Sequence, residues 1–355
     1  MLTFRELTLA DKPVVDRLTA LENDRLCEHC FADIFIWRGH YNTQIAFWKD
    51  YCLLRMQSRM DGSYAWLAPI GQGDLAEAVA LLEQDAQSLG VPFLMCSISE
   101  SMKEKLEKAL PERYVYETSE DAWDYIYLAE KLKTLSGSKL QTKRNLANRF
   151  QNAYEGRWSF EAITEQNKAE AYAFHLEWGQ KNDHMCTADF HGETCAVRIA
   201  IDHFAQLQMQ GGILRLDGRI IAFTLGCQSG PDTMVVQIEK ADGTIDGAYQ
   251  MINREFVKTF APQIVYVNRE EDLGLPGLRQ AKRGYKPVMM GVKYTASRKL
   301  IPTEEIKELF LGSGAPCLST LNADLAAKPL KNHQSPAEPE KKSVRRAFLS
   351  SIYPV

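Results

Sequence analysis

Two stretches of this 355-residue chain carry the same order of elements, and a duplication limits the fold more tightly than composition can. In the first, TQIAFWKDYCLLRMQS has the β-branched and aromatic content of a strand region, and Asp61-Gly62 supplies a hairpin turn before the returning strand YAWLAPIG. Asp74 opens the helix DLAEAVALLEQDAQSLG, which ends at Gly90. The strand PFLMCSIS, the helix SMKEKLEKAL and the closing hairpin YVYETSEDAWDYIYLA follow. In the second stretch, the strand RIIAFTLGCQ turns through Gly230-Pro231-Asp232 into TMVVQIEKA. The helix GAYQMINREFVKTF, the strand QIVYVNRE, the helix LPGLRQAKRGY and the closing segment KPVMMGVKYTA complete it. Any α/β chain alternates strands with helices. A hairpin before the first helix and a two-strand finish after the last, in both stretches, point to duplication.

The expected architecture is α/β, with two mixed, mostly antiparallel sheets flanked by helices. Its N-terminal unit would span 1–133, a basic linker helix 134–157 and a second unit 158–312. Residues 313–355 are rich in Pro, Ser and charge and predict a mostly disordered tail, although AFLSSIYPV at its end is apolar enough to dock. Formal net charge is −4, so bulk electrostatics do not favour nucleic acid or membrane, and any basic patch is local. MLTFRELTLADKP lacks the apolar run of a secretory signal, and no stretch approaches the roughly 20 apolar residues of a membrane span. The eight cysteines are irregularly spaced, which suits reduced thiols and a cytoplasmic location.

A strand, turn, strand and helix beside a strand gap form the core of the GNAT acyltransferase fold. GGILRLDGRIIAFTLG, VVQIEKADGTIDGAYQMINREF and YVNREEDLGLPGLRQAKRGYKPV resemble the family of phosphatidylglycerol lysyltransferase C-terminal domains. KLQTKRNLANRF and CFADIFIWRGHY extend the resemblance over residues 1–300. It implies tandem duplicated GNAT-like folds, related to the Fem-type aminoacyl-tRNA-dependent ligases. It also implies aminoacyl-tRNA or acyl-CoA as donor, a small-molecule acyl acceptor, and tRNA as a potential partner.

The candidate site residues lie in the second unit. Adjacent strand residues Glu239 and Lys240 must face opposite sides, so one of them reaches a cleft. A glutamate there would be a general base; a surface Glu–Lys pair is the plainer alternative. Asp242-Gly243-Thr244-Ile245-Asp246-Gly247-Ala248 occupies the place of a GNAT phosphate loop. Asp242 and Asp246 disfavour a pyrophosphate there and favour a neutral or cationic group, such as an aminoacyl amine, while Asp246 also suits a helix N-cap. Asn268, Arg269, Glu270, Glu271 and Asp272 follow an apolar strand directly, where open α/β sheets place ligand groups. Arg269 would clamp a phosphate or carboxylate, and its acidic neighbours an ammonium, or the acids would complement a helix dipole. Lys282 shares a helix face with Arg279, and Lys293 would be a further phosphate contact or a solvated lysine. The resemblance places Tyr285 like the tyrosine that protonates the leaving group in many GNAT enzymes; a packed tyrosine beside a cationic helix end is the alternative.

Lys139, Lys143 and Arg144, with Arg149, form a basic patch that would bind a tRNA backbone or lipid headgroup, or simply be solvated. Cys27-Glu28-His29-Cys30 lacks a second ligand pair at zinc-site spacing, so no metal is expected. His184, Cys186 and His191 lack an orienting third group for nucleophilic catalysis. The first unit offers only Ser97, Ser99 and Glu100 at its strand ends and is expected to be structural. The expectation is therefore a transferase with Glu239 as base, Arg269 and Lys282 as anion contacts and Tyr285 as acid. The alternative is a non-catalytic ligand-binding or regulatory protein that keeps the fold. Either reading requires a splayed gap beside the Gln237–Asp242 segment, lined from Asn268 to Asp272.

Overall fold

The computed structural model describes residues 2–59, 61–182 and 188–299. His184, Cys186 and the 313–355 tail therefore lie outside the described residues. Local chemistry explains the main elements. The helix Leu75–Leu89 starts where Asp74 accepts from the Glu77 backbone N–H. It stops at Gly90, whose φ of 68° suits a residue without Cβ. Its buried face carries Ala78, Val79, Leu82, Glu83 and Ala86.

Two sheets form. The first runs Arg5–Glu6, Gln44–Trp48, Tyr51–Gln57, Tyr64–Leu67, Leu94–Ile98, Tyr294–Arg298, Tyr114–Thr118. The second runs Met289–Gly291, Asp124–Leu128, Tyr266–Asn268, Thr233–Ala241, Arg219–Ser229, Gln210–Leu216, Trp158–Ala162. Each has a single parallel pairing, and it falls in the same place. Tyr64–Leu67 lies parallel to Leu94–Ile98 after the helix Leu75–Leu89, and Thr233–Ala241 lies parallel to Tyr266–Asn268 after the helix Ala248–Phe260. The two sheets are one topology built twice.

Neither closing segment forms a hairpin within its own unit, which corrects the sequence reading. Tyr114–Thr118 stays in the first sheet, but Asp124–Leu128 crosses into the second, between Tyr266–Asn268 and Met289–Gly291. Conversely, Met289–Gly291 stays in the second sheet while Tyr294–Arg298 enters the first, between Leu94–Ile98 and Tyr114–Thr118. The units thus exchange their last strands. A strand's own sequence sets its facing pattern but not which sheet accepts it.

The apolar core follows the exchange. Tyr125 and Tyr127 from the crossing strand pack with Phe150, Met251, Phe256 and Val267 beneath the second sheet. Ala296 from the returning strand packs with Met95, Ile98 and Leu106 beneath the first. Among the described residues no helix is long and apolar enough to cross a membrane.

Candidate functional site

The parallel ladder between Thr233–Ala241 and Tyr266–Asn268 ends at the Val235–Asn268 pair. Beyond it the first strand continues while the second becomes a loop, so a gap opens beside Gln237 and Glu239. The Arg269 side chain spans this gap, and its Nη2 donates to Glu239 Oε1 at 2.6 Å. Glu239 Oε2 accepts from Asn253 Nδ2 at 2.9 Å, on the helix Ala248–Phe260. Lys240 faces the other way, pairing with Glu193 at 2.9 Å over the Trp178 ring. The alternation of strand side chains thus puts Glu239 in the gap.

Aromatic rings wall the gap. The Arg269 guanidinium lies 4.8 Å from the centroid of Tyr285 and 5.7 Å from that of Tyr127. Lys143 enters from the linker helix Gln141–Ala153, with Nζ 4.6 Å from the Tyr285 centroid. Burial opposes the Arg269 charge, but Glu239 alongside outweighs it and the guanidinium stays firmly protonated. Burial, and next Arg269, depress Lys143 below the usual lysine range. Burial pushes the Tyr285 hydroxyl up. Arg269 Nη1 and Asn253 Oδ1 are enclosed and meet no hydrogen-bond partner among the described residues, and the enclosed Tyr285 Oη lies near the side chains of Gln250 and Arg269. Buried polar atoms are rarely left unpartnered, and two in one gap mark a place where a ligand completes the set.

Other sequence candidates hold the fold instead. Asp272 is fully buried; it binds Arg279 through Nε and Nη2, each at 2.7 Å, and accepts from Tyr125 Oη at 2.6 Å and the Gly274 N–H at 2.9 Å. Burial opposes its ionisation, but Arg279 and Tyr125 hold its carboxyl below the usual range. Lys282 donates to the carbonyls of Arg269, Glu270 and Glu271, so it pins the loop rather than reaching an anion. Asn268 donates to the Arg25 carbonyl at 2.7 Å and to Asp124 at 2.8 Å. Arg144 caps the carbonyls of Leu135 and Gly137, Lys139 is exposed, and Arg149 pairs with Asp246 at 3.4 Å. Asp242 accepts from Thr244, closing its own loop.

The Asp246 cap does not form; the N-cap is Gly247, at φ 87°. A Cβ there would meet the Leu146 carbonyl at 2.5 Å, so this glycine serves close approach of the linker helix. His191 is exposed.

On the far side of the 268–272 loop lies a second polar cluster that sequence reasoning missed. Cys27, Glu28 and Asp33 of the first unit meet Asp124, Glu270, Glu271 and Lys293 there. Lys293 Nζ bridges Glu28 and Asp124, each at 2.8 Å, and lies 3.5 Å from Glu271. Burial, then Asp33, pushes Glu270 well above the usual carboxylate range, and burial, then Cys30, does the same to Asp33. Burial, then Asp124, raises the Cys27 thiol. The first unit supplies Cys27, Glu28, Asp33 and Asp124 to this cluster, beyond the strand-end residues Ser97, Ser99 and Glu100 that its sequence singled out. The strand exchange carries Asp124 to the meeting point of the two sheets. One signal was legible: Asp33 interrupts an otherwise apolar helix, FADIFIW. Ser99 and Ser97 play small parts, as a helix N-cap and as a donor to Glu28 at 3.0 Å.

The family profile described as "Phosphatidylglycerol lysyltransferase, C-terminal" matches residues 19–297. A conserved protein of unknown function from Bacteroides thetaiotaomicron VPI-5482 is similar in structure, with TM-score 0.81 and 37% identity over 84% of this chain and 100% of that one. The C-terminal domain of a putative lysylphosphatidylglycerol synthetase from Agrobacterium fabrum shares the fold, with TM-score 0.55 and 13% identity over 84% of this chain and 95% of that one. An uncharacterized protein of Mycoplasmoides gallisepticum is 26% identical over 180 residues, 49% of this chain. The match spans 56% of that curated relative's length. With its tandem GNAT-like topology, this chain belongs to the phosphatidylglycerol lysyltransferase C-terminal family.

Proposed function

We propose that this GNAT-like transferase domain moves an aminoacyl group from aminoacyl-tRNA to a hydroxyl or amine acceptor. The observation that carries this reading is the splayed gap, in which Arg269 Nη1 and Tyr285 Oη are enclosed donors beside a Glu239 carboxylate. A GNAT enzyme that uses CoA threads its cofactor through such a gap. Here Arg269 bridges it, and the neighbouring loop carries Asp242 and Asp246, which repel a pyrophosphate.

Ester transfer needs three functions from the protein. The acceptor's proton goes to Glu239, whose Oε2 keeps a lone pair beyond the one bound to Asn253. As the acceptor attacks the ester carbonyl, Arg269 Nη1 donates to the developing oxyanion. When the bond from carbonyl carbon to ribose oxygen breaks, Tyr285 protonates the departing oxygen, and solvent reprotonates Tyr285 at Glu239's expense. Lys143, held near the gap mouth, offers charge to a phosphate of the tRNA end.

The test supplies the full chain with a tRNA pool charged with labelled amino acids, and with either phosphatidylglycerol vesicles or soluble amines. Arg269→Ala and Tyr285→Phe should slow transfer by roughly 10²- to 10³-fold without loss of folding. Background turnover with every charged tRNA and both acceptors would sink the proposal, and so would variants that transfer as fast as the parent.

A further inference from the structure

The buried cluster behind the 268–272 loop is unlike the gap in its charge. Glu28, Asp33, Asp124, Glu270 and Glu271 bring five carboxylates together with the Cys27 thiol; Lys293 pairs directly with three of the carboxylates, and Lys282 acts on Glu270 and Glu271 from the loop carbonyls it holds. Lys293 Nζ lies 2.8 Å from Glu28 and Asp124, and 3.3 Å from Cys27 Sγ. On the other side, ligand atoms of Cys27, Asp33 and Glu270 all lie within 4.8 Å of one another.

That triad has an independent mark of a missing partner. Asp33 is only 8% exposed, and its enclosed Oδ1 meets no hydrogen-bond donor among the described residues. Glu270 Oε1 is enclosed in the same way. Glu270 is also held at φ 55°, a left-handed conformation that side chains other than glycine rarely take, so the loop keeps it here at a cost. Lys282 holds that loop through three successive carbonyls. Two enclosed carboxylate oxygens that meet no donor, beside a thiol that Lys293 approaches from the other side, are arranged for a cation.

We propose that Cys27, Asp33 and Glu270 form a binding site for one divalent cation of the zinc class. A thiolate with two carboxylates is a borderline-soft set, which disfavours magnesium and calcium and suits Zn²⁺. Three protein ligands leave one tetrahedral position for water. Binding displaces to solvent the thiol proton and the protons that burial favours on Asp33 and Glu270, and Lys293 balances the negative charge that remains. The ligands come from the first unit's turn and helix and from the second unit's loop, so the ion ties the two units together. The CxxC-like spacing of Cys27 and Cys30 is not the source of the site. Cys30 points away, to Cys227 at 2.9 Å, with Gln237 donating to both sulfurs.

The full chain, purified without chelator, should carry about one equivalent of zinc by elemental analysis. After chelation, Co²⁺ should restore a thiolate-to-cobalt charge-transfer band in the near ultraviolet. Cys27→Ser should abolish that band, and Cys195→Ser, at an exposed cysteine outside the cluster, should keep it. Asp33→Asn and Glu270→Gln should weaken Zn²⁺ binding at least about tenfold. Should Cys27→Ser fail to fold, Asp33→Asn alone decides, since it preserves shape and removes charge. Failure of the stripped chain to take up Zn²⁺ or Co²⁺ stoichiometrically overturns the proposal. A cobalt band that survives in Cys27→Ser, or unchanged affinity in Asp33→Asn, overturns it too.

Discussion

Glu83 shows how much one side chain carries here. It sits on the buried face of the helix Leu75–Leu89 and accepts from Arg113, Tyr114 and Arg298. Arg113 precedes and Tyr114 opens the strand at the far edge of the first sheet, and Arg298 ends the strand that arrives from the second unit. Burial alone would raise the Glu83 pKa, but Arg298 and Arg113 overcome it and lower it to about 2. A folded pKa below the unfolded value means stability that is present at neutral pH and lost as pH falls from about 4.5 toward 2. The full shift would correspond to about 3 kcal/mol, but Arg298 is 58% exposed, so water screens the pair and leaves about 1 to 2 kcal/mol. Urea melts of the parent should lose stability across that acid window, and Glu83→Gln should be less stable at pH 7 with a flatter profile. Parallel profiles for the two proteins would refute the assignment. The same scale shows what the sequence could not tell about the gap. Glu239 was legible from strand alternation, and Arg269 from its place after an apolar strand. That Asp272 and Lys282 are spent on Arg279, Tyr125 and backbone carbonyls was not legible, because a polar run gives no indication of which members find partners within the fold.

At the scale of elements, the linker helix Gln141–Ala153 is a wall of the site rather than a spacer. Its Leu146 carbonyl and Phe150 press on Gly247, the residue that starts the helix Ala248–Phe260, while Lys143 reaches the Tyr285 ring. Gly247→Ala adds a Cβ 2.5 Å from that carbonyl at φ 87°, where side chains are strained in any case. It should cost about 2 kcal/mol and lower Tm by several degrees, moving Lys143 with the displaced helix. Gly243→Ala in the same loop, with nothing within 4 Å of the added carbon, is the control and should melt like the parent. Equal Tm for both variants would show that the close approach does not matter. Sequence order gave the elements correctly because helix caps, turn glycines and apolar runs are local signals. The role of Gly247 was not legible, since a glycine that admits a neighbouring helix and one that admits a phosphate read the same. The basic face of the linker was legible, but its division between exposed Lys139, the cap by Arg144 and the half-buried Lys143 depends on packing.

For the molecule as a whole, the reciprocal exchange of last strands decides how it folds. Asp124–Leu128 and Tyr294–Arg298 each lie inside the sheet of the other unit, with neighbours on both sides. The crossing is marked by Lys293 against Asp124 at 2.8 Å, so the charged cluster forms only when both arms are in place. Neither unit can complete its sheet alone, because each would lack an internal strand and expose two unpaired strand edges. Unfolding should therefore be one transition, with far-ultraviolet dichroism and tryptophan fluorescence coinciding, although the chain has two sheets and several apolar clusters. Cutting the chain between Ser136 and Gly137 provides the sharper measurement. Residues 1–136 and 137–355, expressed separately, should each lack a cooperative melt, and co-expression should restore a complex that melts as one. The pairing of exchanged strands supplies the binding energy for that complex, through ladders that a linker of any length leaves intact. A half that unfolds cooperatively by itself, near the temperature of the whole chain, would mean that the crossing strands decorate two independent domains and do not hold them together.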